Sequence, residues 1–152
     1  MKRLRFFVFV VFLYLPSLVS GQTKNIDCGC NPAVAASGWS VESPKQTGNY
    51  VLDPANIKLV SFENKTSPLK GSDIIEKTAG TALNACVFDY LMSHQEMIPE
   101  SWKKLHVCFP ATTFDDGYGN KFFRFIYWWD NKWTAGVVYL TESYDDKVVA
   151  IK

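Results

Sequence analysis

Four cysteines and two histidines carry the widest range of chemistry in this chain. Cys28 and Cys30 flank Gly29, while Cys86 and Cys108 lie far downstream. An even count in an oxidising compartment reads as two disulfides, with three pairings open. A Cys28–Cys30 bond would be strained. Either both cysteines reach into the body of the domain, or Cys86–Cys108 forms beside an unusual Cys28–Cys30 pair. Zinc competes for the same set, but Cys-x-Cys is not the Cys-x-x-Cys knuckle and the compartment favours oxidation, so no metal is expected. His94 and His106 could serve as base or ligand, and Cys86 or Cys108 could join one of them as a nucleophile. Disulfide formation would remove the thiolate that such chemistry needs. Asp115, Asp116 and Asn120 crowd one turn and offer oxygen ligands for calcium. Their spacing does not match an EF-hand, and Asp-Gly is a common turn pair. Gly-x-Ser-x-Gly, His-Glu-x-x-His and a phosphate-cradling glycine loop are all absent, and no cofactor is expected.

The most unusual local feature is the aromatic run from Phe122 to Trp133. Side chains alternate along a strand. Phe123, Phe125, Tyr127 and Trp129 therefore share one face, and Phe122, Arg124, Ile126 and Trp128 share the other. A two-residue turn at Asp130-Asn131 sets Trp128 opposite Trp133 and Phe122 opposite Tyr139. The fully aromatic face is expected under a helix, with the Arg124 face exposed or partly covered. Arg124, Trp128, Trp133 and Tyr139 then form a candidate binding surface, since Trp, Tyr and Arg dominate interface hot spots. The competing arrangement is a two-sided core covered by the segment from Trp39 to Val60.

The compartment follows from the N-terminus. Met1-Lys2-Arg3-Leu4-Arg5 is basic, Phe6 to Leu15 is apolar, Pro16 breaks the run, and Val19-Ser20-Gly21 offers a cleavage point. These are the parts of a secretory signal peptide over residues 1–21. The run is shorter than the roughly 20 apolar residues of a membrane span. A secreted or periplasmic protein of residues 22–152 is expected, with no span after cleavage. Cleavage removes three of the 16 basic residues and none of the 15 acidic ones, leaving 13 against 15, a formal −2. That balance argues against a nucleic-acid partner.

These groups must be held by a small number of elements. Residues 22–56 read as a loosely ordered segment rich in Gly, Pro, Ser and Asn. Residues 57–62 alternate as a short strand. Asn64-Lys65-Thr66 is an N-glycosylation sequon in the polar loop that follows. Ser72-Asp73 with Glu76 reads as a capping start for one amphipathic helix ending near Met97. Leu83, Cys86, Val87, Tyr90, Leu91 and His94 lie along one face of it. Pro99 can open a second short helix. Four extended stretches follow: Val107 to Phe114, Phe122 to Trp129, Trp133 to Thr141 and Lys147 to Ile151.

The expected fold of residues 57–152 is a single α+β domain. One main amphipathic helix packs on a four- to five-stranded antiparallel meander. That element order resembles the cystatin-like folds, and more loosely the cone-shaped NTF2-like folds. The resemblance is one of topology. The glutamine-and-glycine loop motif by which cystatins block cysteine proteases is missing, and no family is recognised from motifs.

The function expected is that of a small disulfide-braced binding protein. It engages another protein, as an inhibitor or immunity protein does, through the aromatic sheet surface. A carbohydrate or small-ligand module is the first alternative, and a small enzyme with an NTF2-like pocket is the second. An exposed aromatic face would also serve as a homodimer interface.

Overall fold

The computed structural model describes residues 23–42, 47–62, 68–145 and 147–152. The signal peptide expected over residues 1–21 and the sequon at Asn64 lie outside these residues. The chain begins with three short strands, Lys24–Asp27 (β1), Ser40–Val41 (β2) and Asn49–Leu52 (β3). Lys58–Ser61 (β4) and Leu69–Lys70 (β5) lead to two helices, Gly71–Thr78 (α1) and Ala85–Ser93 (α2). Single 3₁₀ stretches at Gln95–Met97 and Glu100–Lys104 precede the long strands His106–Asp115 (β6), Lys121–Trp129 (β7) and Lys132–Tyr139 (β8). Ser143–Tyr144 (β9) and Lys147–Ile151 (β10) complete the chain.

The hairpin of β7 and β8 forms as its residues require. Asp130 and Asn131 take φ of 48° and 58°, the left-handed conformation of the tight turn whose twist suits two antiparallel strands. The register places Trp128 opposite Trp133 and Phe122 opposite Tyr139, as expected.

The sheet itself is not the expected antiparallel meander. Its strand order is β4-β10-β6-β7-β8, with β2 added against β6. β10 runs antiparallel to β4 but parallel to β6. This mixed sheet with two helices replaces the expected single main helix on a meander, and the cystatin-like and NTF2-like topologies fall with it. The physical reason lies after β8. The chain turns back through β9, which pairs with β5 (Leu69↔Tyr144, Lys70↔Ser143). β10 then enters the middle of the sheet rather than its edge. Its residues Lys147 to Ala150 are all buried, as befits a strand covered on both faces.

The one long helix expected from Ser72 to Met97 is two. Gly80 adopts φ +78° and ends the first. The backbone of the link then bonds to the sheet, with Leu83 N donating to Ala150 O at 2.9 Å and Lys152 N to Thr81 O at 2.8 Å. Asn84 restarts the helix as an N-cap, its side chain accepting from Val87 N, which satisfies a donor the first turn leaves unpaired.

The helices cover opposite faces of the sheet. Val87, Phe88 and Leu91 of α2 pack with Val107, Phe109, Ile126 and Trp133. Ile74 of α1 packs with Cys108, Phe123, Val138 and Val149 on the other side. β6 carries an irregularity between Phe109 and Phe114. It includes Pro110, which has no N–H to give to a ladder. The freed segment receives α2, with Ala85 N donating to Thr112 Oγ1 at 3.1 Å.

The N-terminal segment joins the α2 face. β1 and β3 pair antiparallel, and their buried Ile26 and Leu52 enter the α2 cluster. Cys30 bonds to Cys86 of α2, with a Cα–Cα distance of 6.0 Å. This corrects the expectation of two disulfides and of a Cys86–Cys108 pair. Cys108 points to the α1 face, so the sheet stands between it and Cys86. Cys28 and Cys108 are buried thiols. No helix among the described residues is long and apolar enough to cross a membrane.

Candidate functional site

The four residues expected to bind share one face of the sheet, but α2 lies on that face. Arg124 is only 6% exposed. Its Nη1 lies 3.0 Å from Asp89 Oδ1 and donates to Ala33 O at 3.1 Å. The other Asp89 oxygen accepts from Ala33 N at 2.8 Å. The guanidinium carbon sits 4.2 Å from the Phe88 ring centroid and 4.6 Å from that of Phe114. Burial lowers the Arg124 pKa, while the Asp89 charge and hydrogen bond work against that shift. Arginine stays charged throughout. This group is therefore an interior clamp joining β7, α2 and the N-terminal segment.

Trp133 is likewise 6% exposed. It meets half-buried Trp128 edge-on at 5.2 Å, and Lys103 Nζ lies 4.0 Å above the Trp128 ring. Tyr139 is half-buried against Phe122, 5.9 Å between centroids. The Arg124 face of β7 is thus buried where it was expected to be exposed or partly covered, while the fully aromatic face lies under a helix, α1, only at Phe123. An arginine among aromatics looks exposed when its counterion is out of sight, and Asp89 lies on another element.

The other face opens towards the hairpin tip. Phe123 is buried beneath α1, Phe125 and Tyr127 are half-buried, and Trp129 is 67% exposed. A Cβ on Gly136 would come within 2.4 Å of Phe125 Cζ, so the Phe125 ring lies directly over Gly136. The His106 ring stands edge-on to Phe125 at 5.3 Å and to Tyr127 at 5.6 Å. Lys147 Nζ contacts His106 Nδ1 at 3.1 Å and lies 5.1 Å from the Phe125 centroid. An ammonium can only donate, so Nδ1 accepts in this contact. The result is a row of aromatic groups with a cation at its base. It can stack against flat apolar groups and offers hydrogen bonds at its margins. Trp129, Tyr127 and His106 were missed as a candidate set because the aromatic face was assigned to the helix. One local signal was present: Trp129 abuts the turn, beyond the reach of a short covering helix.

The remaining candidates are dispersed. His94 caps the end of α2, with Nδ1 3.0 Å from Tyr90 O and its ring stacked on Tyr90 at 4.1 Å. His106 lies across the sheet from it. Asp116 is turned onto its own loop: Oδ1 accepts from Tyr118 N at 2.8 Å and Asn120 N at 3.1 Å, and Oδ2 from Asn120 Nδ2 at 2.8 Å. The Asn120 bond, reinforced by these backbone donors, lowers its pKa. Asp115 Oδ1 accepts from Gly117 N at 2.7 Å. Among the described residues no three His, Cys, Asp or Glu side chains converge as a metal site would require. A cleft of about 230 Å³ between the end of α1 and β6 is lined by Ile75, Ala79, Ala82, Pro110, Ala111 and the threonines 78 and 113. It brings no titratable side chain to a substrate.

No family model, no curated protein and no solved structure matches this chain.

Proposed function

We propose that this chain is an extracytoplasmic binding domain. It engages a protein partner, in the manner of an inhibitor or immunity protein, through Trp129, Tyr127 and the His106 edge of the sheet. The observation that carries this reading is Trp129. A tryptophan 67% exposed at the end of the β7–β8 hairpin, in line with half-buried aromatics, matches the aromatic anchors found at interface centres. The basic-then-apolar opening of residues 1–21 and the Cys30–Cys86 disulfide support an oxidising location.

The test is a pull-down with the mature, oxidised protein from its own extracytoplasmic extract, followed by mass spectrometry. Expected is a stoichiometric partner that Trp129→Ala releases while far-UV circular dichroism and thermal unfolding stay unchanged. Trp133→Ala should instead unfold the core, at about 3–5 kcal/mol. Partner retention by a folded Trp129→Ala, Tyr127→Ala double variant would reject the surface. The exposed Trp129 ring face also favours a second reading, stacking on a sugar ring. A glycan array that silences on Trp129→Ala would select that reading over a protein partner.

A further inference from the structure

The Arg124 guanidinium spends only one of its nitrogens on the ion pair. Nη1 serves Asp89 and Ala33 O. Nε and Nη2 are buried and meet no hydrogen-bond acceptor among the described residues. These two donors belong together. The group is planar, and Nε–H and one N–H of Nη2 point the same way along one edge, the fork that grips both oxygens of a carboxylate. The Phe88 and Phe114 rings over the guanidinium carbon favour its charge but bring no lone pair to that edge.

Leaving a buried donor unpaired is costly, and more so when it is charged. Native interiors seldom keep such groups. Asp89 does not offset the loss. Its side chain is 27% exposed and shares its charge with water, and one of its oxygens is given to Ala33 N. Burial outweighs it, so the Arg124 pKa lies below its ordinary value. The interior is short of negative charge at this point, and the shortfall faces a fork of carboxylate shape.

The way in lies under the N-terminal segment. Ala33 to Gly38 are exposed and belong to no helix or strand. This strap is fastened to α2 by Cys30–Cys86 at one end. At the other, the Trp39 ring sits 4.6 Å from that of Phe122. Between those ends the Ala33 peptide bridges the ion pair, its N–H on Asp89 and its oxygen on Nη1. Exposed irregular backbone of this kind opens locally at low cost. Arg124 itself stands on β7, an interior strand of the sheet, so the fork stays aimed while the strap moves.

We propose that this fork is a binding site for a small carboxylic acid, admitted in its ionised form when the strap lifts at Ala33. The two oxygens of the ligand accept from Nε and Nη2, while Nη1 keeps Asp89. Cover by α2 and the strap admits a small molecule and shuts out a folded partner. The site lies across the sheet from Trp129 and is independent of the partner-binding reading.

The test is a titration of the oxidised protein with sodium acetate, against sodium chloride at matched ionic strength, at neutral pH. The ¹H–¹⁵N resonance of Arg124 Nε is expected to shift saturably with acetate and not with chloride. The thermal midpoint should rise with acetate, since the ligand binds only the folded state. Arg124→Lys keeps a cation beside Asp89 but has no fork, and that rise should vanish. Ala33→Pro removes the N–H given to Asp89 and loosens the strap. It should bind acetate severalfold more tightly, because less of the affinity is lost to opening. An Nε resonance unmoved by acetate, or moved equally by chloride, overturns the proposal, and the wild type alone decides this. So does a folded Arg124→Lys variant that keeps the rise, or a bound water that stays in contact with Nε–H at saturating acetate. A folded Ala33→Pro variant that binds no more tightly than the wild type overturns the role of the strap.

Discussion

Arg124 on β7 and Asp89 on α2 meet at 3.0 Å beneath the helix. Asp89 also holds the backbone of Ala33. One carboxylate thus fixes a buried cation and an N-terminal segment together. The same segment is bonded to α2 again through Cys30 and Cys86. The two fastenings lie three residues apart on the N-terminal segment, at Cys30 and Ala33, and three apart on α2, at Cys86 and Asp89.

Removing either half of the Arg124–Asp89 pair has unequal effects. Asp89→Ala leaves a buried guanidinium without its counterion and should cost about 3 kcal/mol. Arg124→Met keeps apolar volume between Phe88 and Phe114 and should cost about 1 kcal/mol. Urea unfolding of both variants and the double variant measures this. Equal losses, or a double variant as unstable as the sum of the two, would contradict a charge-specific role.

The disulfide closes a long loop, with its cysteines 56 residues apart. Cys30→Ser should lower stability by about 2–4 kcal/mol. In the unreduced native protein, an alkylating reagent should modify none of the cysteines. After denaturation without reductant it should label Cys28 and Cys108 only. Labelling of Cys30 or Cys86 in that sample would refute the pairing.

Gly71 opens α1 where the helix docks on the end of β8. A Cβ there would lie 2.6 Å from Tyr139 O and 2.9 Å from Leu140 Cα, both backbone atoms that cannot swing aside. Gly71 N and Ser72 N also donate to Glu142 O and Leu140 O, each at 3.1 Å. Gly71→Ala should therefore destabilise by about 2 kcal/mol, although alanine is the better helix former. A rise in the urea midpoint would show that the docking is looser than described.

Tyr144 links stability to alkaline pH. Its phenol donates to Glu142 Oε2 at 2.8 Å and accepts from Tyr139 N. Burial, then the Glu142 hydrogen bond, pushes its pKa up from 10.0 to about 12. The folded state consequently holds this proton more tightly than the unfolded chain. The contribution is complete below pH 10 and is lost as pH rises from 10 to about 12. Unfolding midpoints across that range should fall in the wild type, and Tyr144→Phe should flatten the part due to this group. Absorbance titration of the phenolates gives the direct reading. A wild-type curve superimposing on that of Tyr144→Phe would remove the linkage.

Local chemistry was legible in the residues themselves. Asp130-Asn131 dictated a tight turn and hence the register of β7 on β8, because a two-residue loop leaves no slack. The strand of residues 147–151 was marked by its β-branched run and observed at Lys147–Ile151. Alternation divided β7 into its two faces correctly.

Which face was covered, which strand was central and which cysteines met were settled by contacts distant in sequence. Arg124 is buried because Asp89 arrives from α2. β10 is central because β9 stops at β5 and turns the chain back. Cys108 cannot reach Cys86 because neighbouring positions on β6 face opposite ways and the sheet lies between them. Periodicity fixes a residue's direction relative to its own strand. Only the assembled layers decide what lies in that direction.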